Sequence, residues 1–255
     1  MRPPPTARTV YGRCHDRGVS AEVTVHVRLV PDDPAVVESW ADLLDADELA
    51  RAARRSNRAR YVTAHALLRT VVAGLTAGGP DSVAFDRRCA TCASTAHGKP
   101  VVRGHPGLFV SLSYAGRLAA VAATEVADVG IDVEQYDEAD FDGFDQVTLA
   151  PEERAAFSTQ VGAAPATHSD VAASRARVWA RKEAVLKASG HGLVVDPRQV
   201  VVTGPHDPAS LVAWRGEHEL TSAVDLQDVP LPQSGYAAAL AVLSRTPVTV
   251  DVVAS

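Results

Sequence analysis

One stretch of this chain can be laid on another without a gap. Gly116 to Val133 aligns with Gly235 to Val252, and Gly116, Ala119, Ala120, Ala122, Val129, Asp132 and Val133 meet identical residues. The same offset lays Arg58 on Arg177 and Leu67 on Leu186. Chance likeness between Ala- and Val-rich strands is the competing explanation. If the repeat is real, few architectures remain. The expectation is an α+β fold built as a pseudo-dimer of two similar α+β halves, each running helix and then strands. Clefts between such halves are common ligand sites. The expected division is a polar leader over 1–22, an N-terminal half over 23–127 and a C-terminal half over 128–255.

Composition narrows the class. The chain has 255 residues, 46% hydrophobic and 22% charged, which suits one large domain or two small ones. A net charge of −6 argues against a nucleic-acid protein acting through overall charge. No apolar run reaches membrane-spanning length, since Arg69, Gly74 or Glu125 interrupts the longest ones. The proline-rich start, Met1 to Val10, lacks the apolar core of a signal peptide, so a cytoplasmic location is the default. Cys14, Cys89 and Cys92 make no disulfide framework. Cys89 and Cys92 with His97 give a weak zinc signal, which Cys14 and His15 could complete.

Periodicity predicts strands over 23–30, 110–114, 118–123, 194–202, 211–220, 236–243 and 248–253. Helices are predicted over 36–44, over 48–76, from Pro151 onward and over 175–189, the last closed by Gly190. On a helix over 48–76, Arg51, Arg55 and Arg58 would share one basic stripe. That stripe is either a solvated face or an anion site for phosphates.

Val129-Gly-Ile-Asp132-Val-Glu134-Gln135 alternates apolar residues with acids. On a strand this puts both carboxylates on one face. An ordinary half-buried strand with a wet acidic face would look the same. Half of a magnesium site would too, since hard oxygen ligands suit Mg²⁺. The third acid comes from the 175–189 helix, where Trp179, Glu183 and Lys187 repeat at i, i+4 and i+8. The halves differ here. Glu183 and Lys187 lie on Ala64 and Leu68, and Asp251 is followed by Val253 where Asp132 is followed by Glu134. The acidic constellation occurs once, so one active site is expected. Three acids and a lysine around a divalent cation make sense for a substrate bringing a diphosphate.

At this point the residues resemble a known family. Val-Gly-Ile-Asp132-Val-Glu134, followed some way on by Trp179-Ala-Arg-Lys182-Glu183-Ala-Val-Leu-Lys187-Ala-Ser-Gly-His-Gly, looks like the paired signature of the Sfp-type 4′-phosphopantetheinyl transferases. The resemblance extends to His97-Gly98-Lys99-Pro100, Ser111-Leu-Ser113, Pro151-Glu-Glu153 and the Arg58 to Arg69 helix.

It implies a holo-carrier-protein synthase. Coenzyme A binds between the halves, and a serine of an apo acyl or peptidyl carrier protein attacks the phosphate that bears pantetheine. Adenosine 3′,5′-bisphosphate leaves. By this match Asp132, Glu134 and Glu183 hold Mg²⁺, and Lys187 contacts the phosphates. Glu153 matches the position proposed as the base that deprotonates the serine, a part that a metal-bound water could take instead, so Glu153, Glu183 and Lys187 form the implied catalytic set. Lys99 and Pro100 lie near the nucleotide phosphates, and Ser113 and Tyr114 near the diphosphate. Arg51, Arg58 and His65 are candidates for the 3′-phosphate. The partners implied are coenzyme A and apo carriers of polyketide, peptide or fatty-acid synthesis, with no nucleic acid and no membrane. A monomer is expected. The sequence departs from the pattern at Tyr114, where many members have histidine, and at His65, where many have arginine. Three rivals stand beside this reading. One is another Mg²⁺-dependent transferase, for which no Walker-type loop is present. The others are a catalytically impaired carrier-binding protein and a nucleic-acid binder using the arginine helix.

Overall fold

Alternating apolar residues make the first strand. Val23, Val25 and Val27 point one way along β1 (Glu22–Leu29) and are buried. The computed structural model describes residues 21–89, 98–162, 167–217 and 219–255. The leader up to residue 20, Cys14, His15, Cys92 and His97 lie outside them, and so does the completion of the zinc site they suggested.

Asp33 caps α1 (Pro34–Ala41), and Asp45 with Glu48 forms a capping box on α2 (Ala46–Ala53). The single helix predicted over 48–76 is two helices. Arg54 ends α2, and Asn57 starts α3 (Arg58–Thr76) by accepting from the Arg60 amide. Arg51, Arg55 and Arg58 therefore share no helical stripe. Then come β2 (Phe85–Arg88), β3 (Lys99–Val102), β4 (Phe109–Ala115), β5 (Leu118–Thr124) and β6 (Val129–Gln135). Two short helices follow, α4 (Tyr136–Ala139) and α5 (Phe144–Thr148), and then α6 (Pro151–Gly162) and α7 (His168–Ser189). The predicted strand over 194–202 is mostly 3₁₀ turns; only β7 (Val200–Val202) survives, after Pro197 removes a donor. Beyond it lie β8 (Leu211–Trp214), β9 (Asp225–Asp228), β10 (Tyr236–Val242) and β11 (Thr249–Ala254).

The strands form a six-stranded sheet ordered β11-β1-β5-β4-β3-β2, a three-stranded sheet ordered β6-β10-β9 and the β7-β8 pair. The first two sheets pack face to face. Val23, Val25, Leu118, Ala120 and Ala122 meet Val129, Ile131, Ala238 and Leu240 in one apolar cluster. On the outer face of the large sheet, Ala119, Val121 and Ala123 pack against Leu67, Leu68 and Val71 of α3. On the outer face of the smaller one, Ala239 and Ala241 pack against Ala180, Ala184 and Ala188 of α7. The order is therefore helix, sheet, sheet, helix. Both faces of β5 are covered, and all seven of its residues are buried. Its Ala-rich composition follows, since small side chains fit between two packed layers.

The aligned stretches of the repeat fall on strands. β5 and β10 are laid on each other, and each lies inside its sheet. β6 and β11 are likewise laid on each other. β6 pairs antiparallel with β10, and β11 returns to pair in parallel with β1. Among the described residues no helix is long and apolar enough to cross a membrane.

Candidate functional site

Gly130 sets the distance between β6 and α7. A Cβ there would stand 2.0 Å from the Ala184 carbonyl oxygen and 2.4 Å from the Ala188 amide nitrogen. Glycine thus lets the helix backbone lie directly on the strand. Val129, Ile131 and Val133 point into the sheet-sheet core. The other face of β6, with Asp132, turns toward α7. The wet acidic face considered from the sequence is not what forms, since Asp132 is only 2% exposed.

β4 supplies the opposite wall through two serines. Ser111 Oγ accepts from the Ile131 amide at 3.1 Å, satisfying a donor at the seam between the sheets. Ser113 Oγ donates to Asp132 Oδ1 at 2.8 Å. Lys187 Nζ lies 2.5 Å from the same Oδ1 and 2.9 Å from Ser113 Oγ. The i,i+4 spacing of Glu183 and Lys187 survives as a shared face, but the lysine's bonded partners are Asp132 and Ser113.

Two acceptors in this cluster are buried without a hydrogen-bond partner, Asp132 Oδ2 and Glu183 Oε1. Orphaned carboxylate oxygens are costly unless something positive meets them. Burial and then the Asp132 charge push the Glu183 carboxyl up to about 7, with Lys187 partly offsetting them. The same two causes push Glu134 to about 9. Burial opposes the Lys187 charge, but Asp132 and then Glu183 outweigh it and hold the pKa above its ordinary value. The cluster is short of positive charge. Its hard oxygen donors fit a divalent cation such as Mg²⁺, with Asp132, Glu134 and Glu183 as the residues that could hold it. Among the described residues no three acids, histidines or cysteines are gathered as a preformed cage. Lys187 is why Asp132 Oδ1 is not open.

A cleft of about 420 Å³ opens beside the cluster, between β2, β3 and β4 on one side and the end of α7 on the other. Lys99, Pro100, Ser111 and Lys187 line it. Lys99 Nζ donates to Asp128 at 2.6 Å and to the Ala188 carbonyl at 3.2 Å. Burial holds the Lys99 ammonium below its ordinary pKa, with Asp128 partly restoring it. Gly190, at φ 76°, ends α7 in the left-handed cap that its sequence predicted and turns the chain along the cleft.

Arg87, which the sequence reading passed over, also lines this cleft. Its guanidinium donates to the Gly98 carbonyl and is held below its ordinary pKa, first by burial and then by the nearby Arg51. An arginine in a four-residue strand carries no periodic signal; only its pairing opposite Pro100 on β3 reveals the place. The buried Tyr61 hydroxyl, without a hydrogen-bond partner in good geometry, lies near Arg51. Tyr114 packs edge-on to Tyr61, with ring centroids 6.5 Å apart.

Three predicted site residues are engaged elsewhere. His65 is buried, stacked on Tyr61 at 4.0 Å, with Nδ1 on Glu48 at 2.9 Å. Arg58 forms an ion pair with Glu38 on the surface. Glu153 is not brought to the acidic cluster. Its Oε2 accepts from Lys182 Nζ and the Ala150 amide, both at 2.7 Å, and its Oε1 accepts from the Val202 amide at 2.8 Å. Lys182 is fully buried, and its other bonds go to the Pro197 and Val200 carbonyls.

Two comparisons with known proteins give a match. Residues 128–241 match the family model described as 4′-phosphopantetheinyl transferase superfamily. The matched span includes Asp132, Glu134, Glu183 and Lys187, and leaves Lys99 and Ser113 before it. A protein of Nostoc sp. (strain PCC 7120 / SAG 25.82 / UTEX 2576), described as 4′-phosphopantetheinyl transferase HetI, is 28% identical over 198 residues. That similarity covers 73% of this chain and 77% of the relative.

Proposed function

We propose that the chain is a 4′-phosphopantetheinyl transferase of the Sfp type, moving phosphopantetheine from coenzyme A to a serine of an apo acyl or peptidyl carrier protein. The observation that carries this is the pair of buried, unpartnered oxygens on Asp132 and Glu183 in the cluster of Lys187, which also lines the neighbouring cleft with Lys99 and Arg87. The family match over this span and the relative's described activity support it. We read the two halves as a pseudo-dimer, on the matching places of β5 and β10 inside their sheets, with β1 antiparallel to β5 as β6 is to β10.

Asp132, Glu134 and Glu183 would hold Mg²⁺. That ion, when bound, supplies charge neutralisation at the diphosphate. The chain's own groups do the rest. Lys187 gives a point charge to the diphosphate, and Ser113 a hydroxyl donor. Lys99, at the rim of the same cleft, faces the nucleotide phosphates. For the 3′-phosphate, Arg51 keeps the part assigned from sequence, and Arg87 with the Tyr61 hydroxyl takes the parts given to Arg58 and His65. Two half-buried guanidiniums close enough to repel each other suit a shared anion.

In the transfer, the serine oxygen bonds to the phosphorus carrying pantetheine. The bond from that phosphorus to the bridging oxygen breaks, and adenosine 3′,5′-bisphosphate leaves with that oxygen. The serine proton needs an acceptor. Glu153 has its oxygens committed to Lys182, Ala150 and Val202, which speaks for a positioning part. The carboxylates of the cluster, Glu183 foremost, are the acceptors left.

The test is the intact mass of an apo carrier after incubation with this protein, coenzyme A and Mg²⁺. A gain of one phosphopantetheine is expected. An unchanged mass across carriers of polyketide, peptide and fatty-acid type refutes the assignment.

A further inference from the structure

Lys187 does more than wait at the edge of the site. Its ammonium lies on Asp132 Oδ1 at 2.5 Å, and Ser113 Oγ braces both partners, at 2.9 Å from the ammonium and 2.8 Å from the carboxylate. The three partners come from three elements: Asp132 from β6, Ser113 from β4 and Lys187 from α7. The acid nearest the orphaned oxygens thus already has a cation, and that cation belongs to the chain.

Resting on the reading above, we propose that Lys187 is a latch on the metal site: it stands in for the divalent ion until a diphosphate draws it away, so that coenzyme A and the metal bind as one coupled event. Two observations carry this. Asp132 Oδ2 and Glu183 Oε1 are buried without partners, so a single ammonium leaves the acids incompletely matched. And the ammonium already occupies Asp132 Oδ1, the carboxylate's other oxygen.

Coulomb's law gives the sign. A divalent ion arriving at Asp132 while the ammonium stays meets a like charge within a few ångströms, in a half-buried setting where screening is weak. A diphosphate in the adjoining cleft offers Lys187 another anion and removes that repulsion. Coupling between two ligands is reciprocal, so metal must strengthen coenzyme A binding by the same factor. The lysine can make the move: its side chain is 28% exposed, toward the cleft it helps to line.

The test is direct binding of Mn²⁺, followed by the electron paramagnetic resonance signal of the free ion, with and without coenzyme A. In the unaltered protein, coenzyme A should tighten Mn²⁺ binding strongly. Lys187→Met should bind Mn²⁺ alone about ten-fold more tightly than the unaltered protein and show a smaller enhancement by coenzyme A. Ser113→Ala, which changes no charge, should tighten binding of Mn²⁺ alone about three-fold. Lys99→Met controls for charge in general, because Lys99 bonds Asp128 and not Asp132; it should shift Mn²⁺ affinity less than about two-fold. Equal affinity of Lys187→Met and the unaltered protein for Mn²⁺ alone overturns the latch. So does an equal gain from Lys99→Met, which would leave only bulk charge. Absence of Mn²⁺ binding with coenzyme A present, in every variant, refutes the metal site itself and the latch with it.

Discussion

The buried charge cluster around Arg69 on α3 and the one around Lys187 on α7 differ in one respect. On α2 and α3, Arg69 donates to Glu48 at 2.7 Å, to Asp45 at 2.8 Å and to the Val83 and Pro80 carbonyls, while Glu48 also takes His65. Burial raises the Glu48 carboxyl, yet His65 and then Arg69 more than offset it and hold it at about 2. On β6 and α7, Lys187 faces three acids, and two of their oxygens have no partner. There the carboxyls are driven up, Glu183 to about 7 and Glu134 to about 9. A satisfied cluster holds structure together. An unsatisfied one is kept at a cost in stability, and the excess negative charge marks where a ligand belongs.

The sharpest way to break this contrast is Glu183→Gln. Transfer should fall about a thousand-fold or more, if the residue supplies several kcal/mol of charge stabilisation. The melting temperature should hold or rise, because a buried carboxyl with an unmet oxygen is removed. Retained activity in the carrier-mass assay removes Glu183 from the site.

Glu48→Gln should do the opposite. It leaves Arg69, 1% exposed, without its main partner, and should cost about 3–5 kcal/mol of stability in urea unfolding. A cost under about 1 kcal/mol would show that Asp45 and the carbonyls suffice.

Glu153→Gln probes a third cluster, the pair with Lys182, and should also lose about 3–5 kcal/mol. Its transfer rate per folded molecule should stay within about ten-fold of the unaltered protein, below the roughly hundred-fold that a general base contributes at the least. A much larger loss of rate in a stably folded variant would return the base to Glu153.

The clusters should also separate by pH. Glu134 and Glu183 have folded pKa values above the unfolded 4.5, so the folded metal-free protein binds more protons and its stability falls as pH rises from 4.5 through about 7 and 9. Glu48 has the opposite sign: its contribution is present above 4.5 and is lost as pH falls toward about 2. Thermal shift by Mg²⁺ with coenzyme A should therefore be larger at pH 9 than at pH 6. A larger shift at the lower pH contradicts the assignment. The smallest effect expected is from Asp251→Asn. The repeat lays Asp251 on Asp132, but β11 lies in the other sheet beside β1, and the variant should transfer within about two-fold of the unaltered protein. A large loss there would overturn the claim of one site.

What the sequence could determine was local. Alternation set Asp132 and Glu134 against Val129, Ile131 and Val133, and the helical period set Glu183 and Lys187 on one face, because each rests on dihedral geometry over a few residues. Strand and helix positions from β4 onward were largely legible for the same reason, apart from the short α4, α5 and β9, the first turns of α7, the strand predicted over 211–220 that ends at Trp214, and the stretch after α7 that Pro197 breaks into turns. What the tertiary structure decided was who meets whom. It buried the acidic face under α7 through Gly130, gave Lys187 to Asp132 and Ser113, committed Glu153 to Lys182 and His65 to Glu48, and brought Arg87 to the cleft. None of these follows from spacing, because partners far apart in the chain are chosen by which surfaces pack, and a buried charge takes whichever opposite charge that packing delivers.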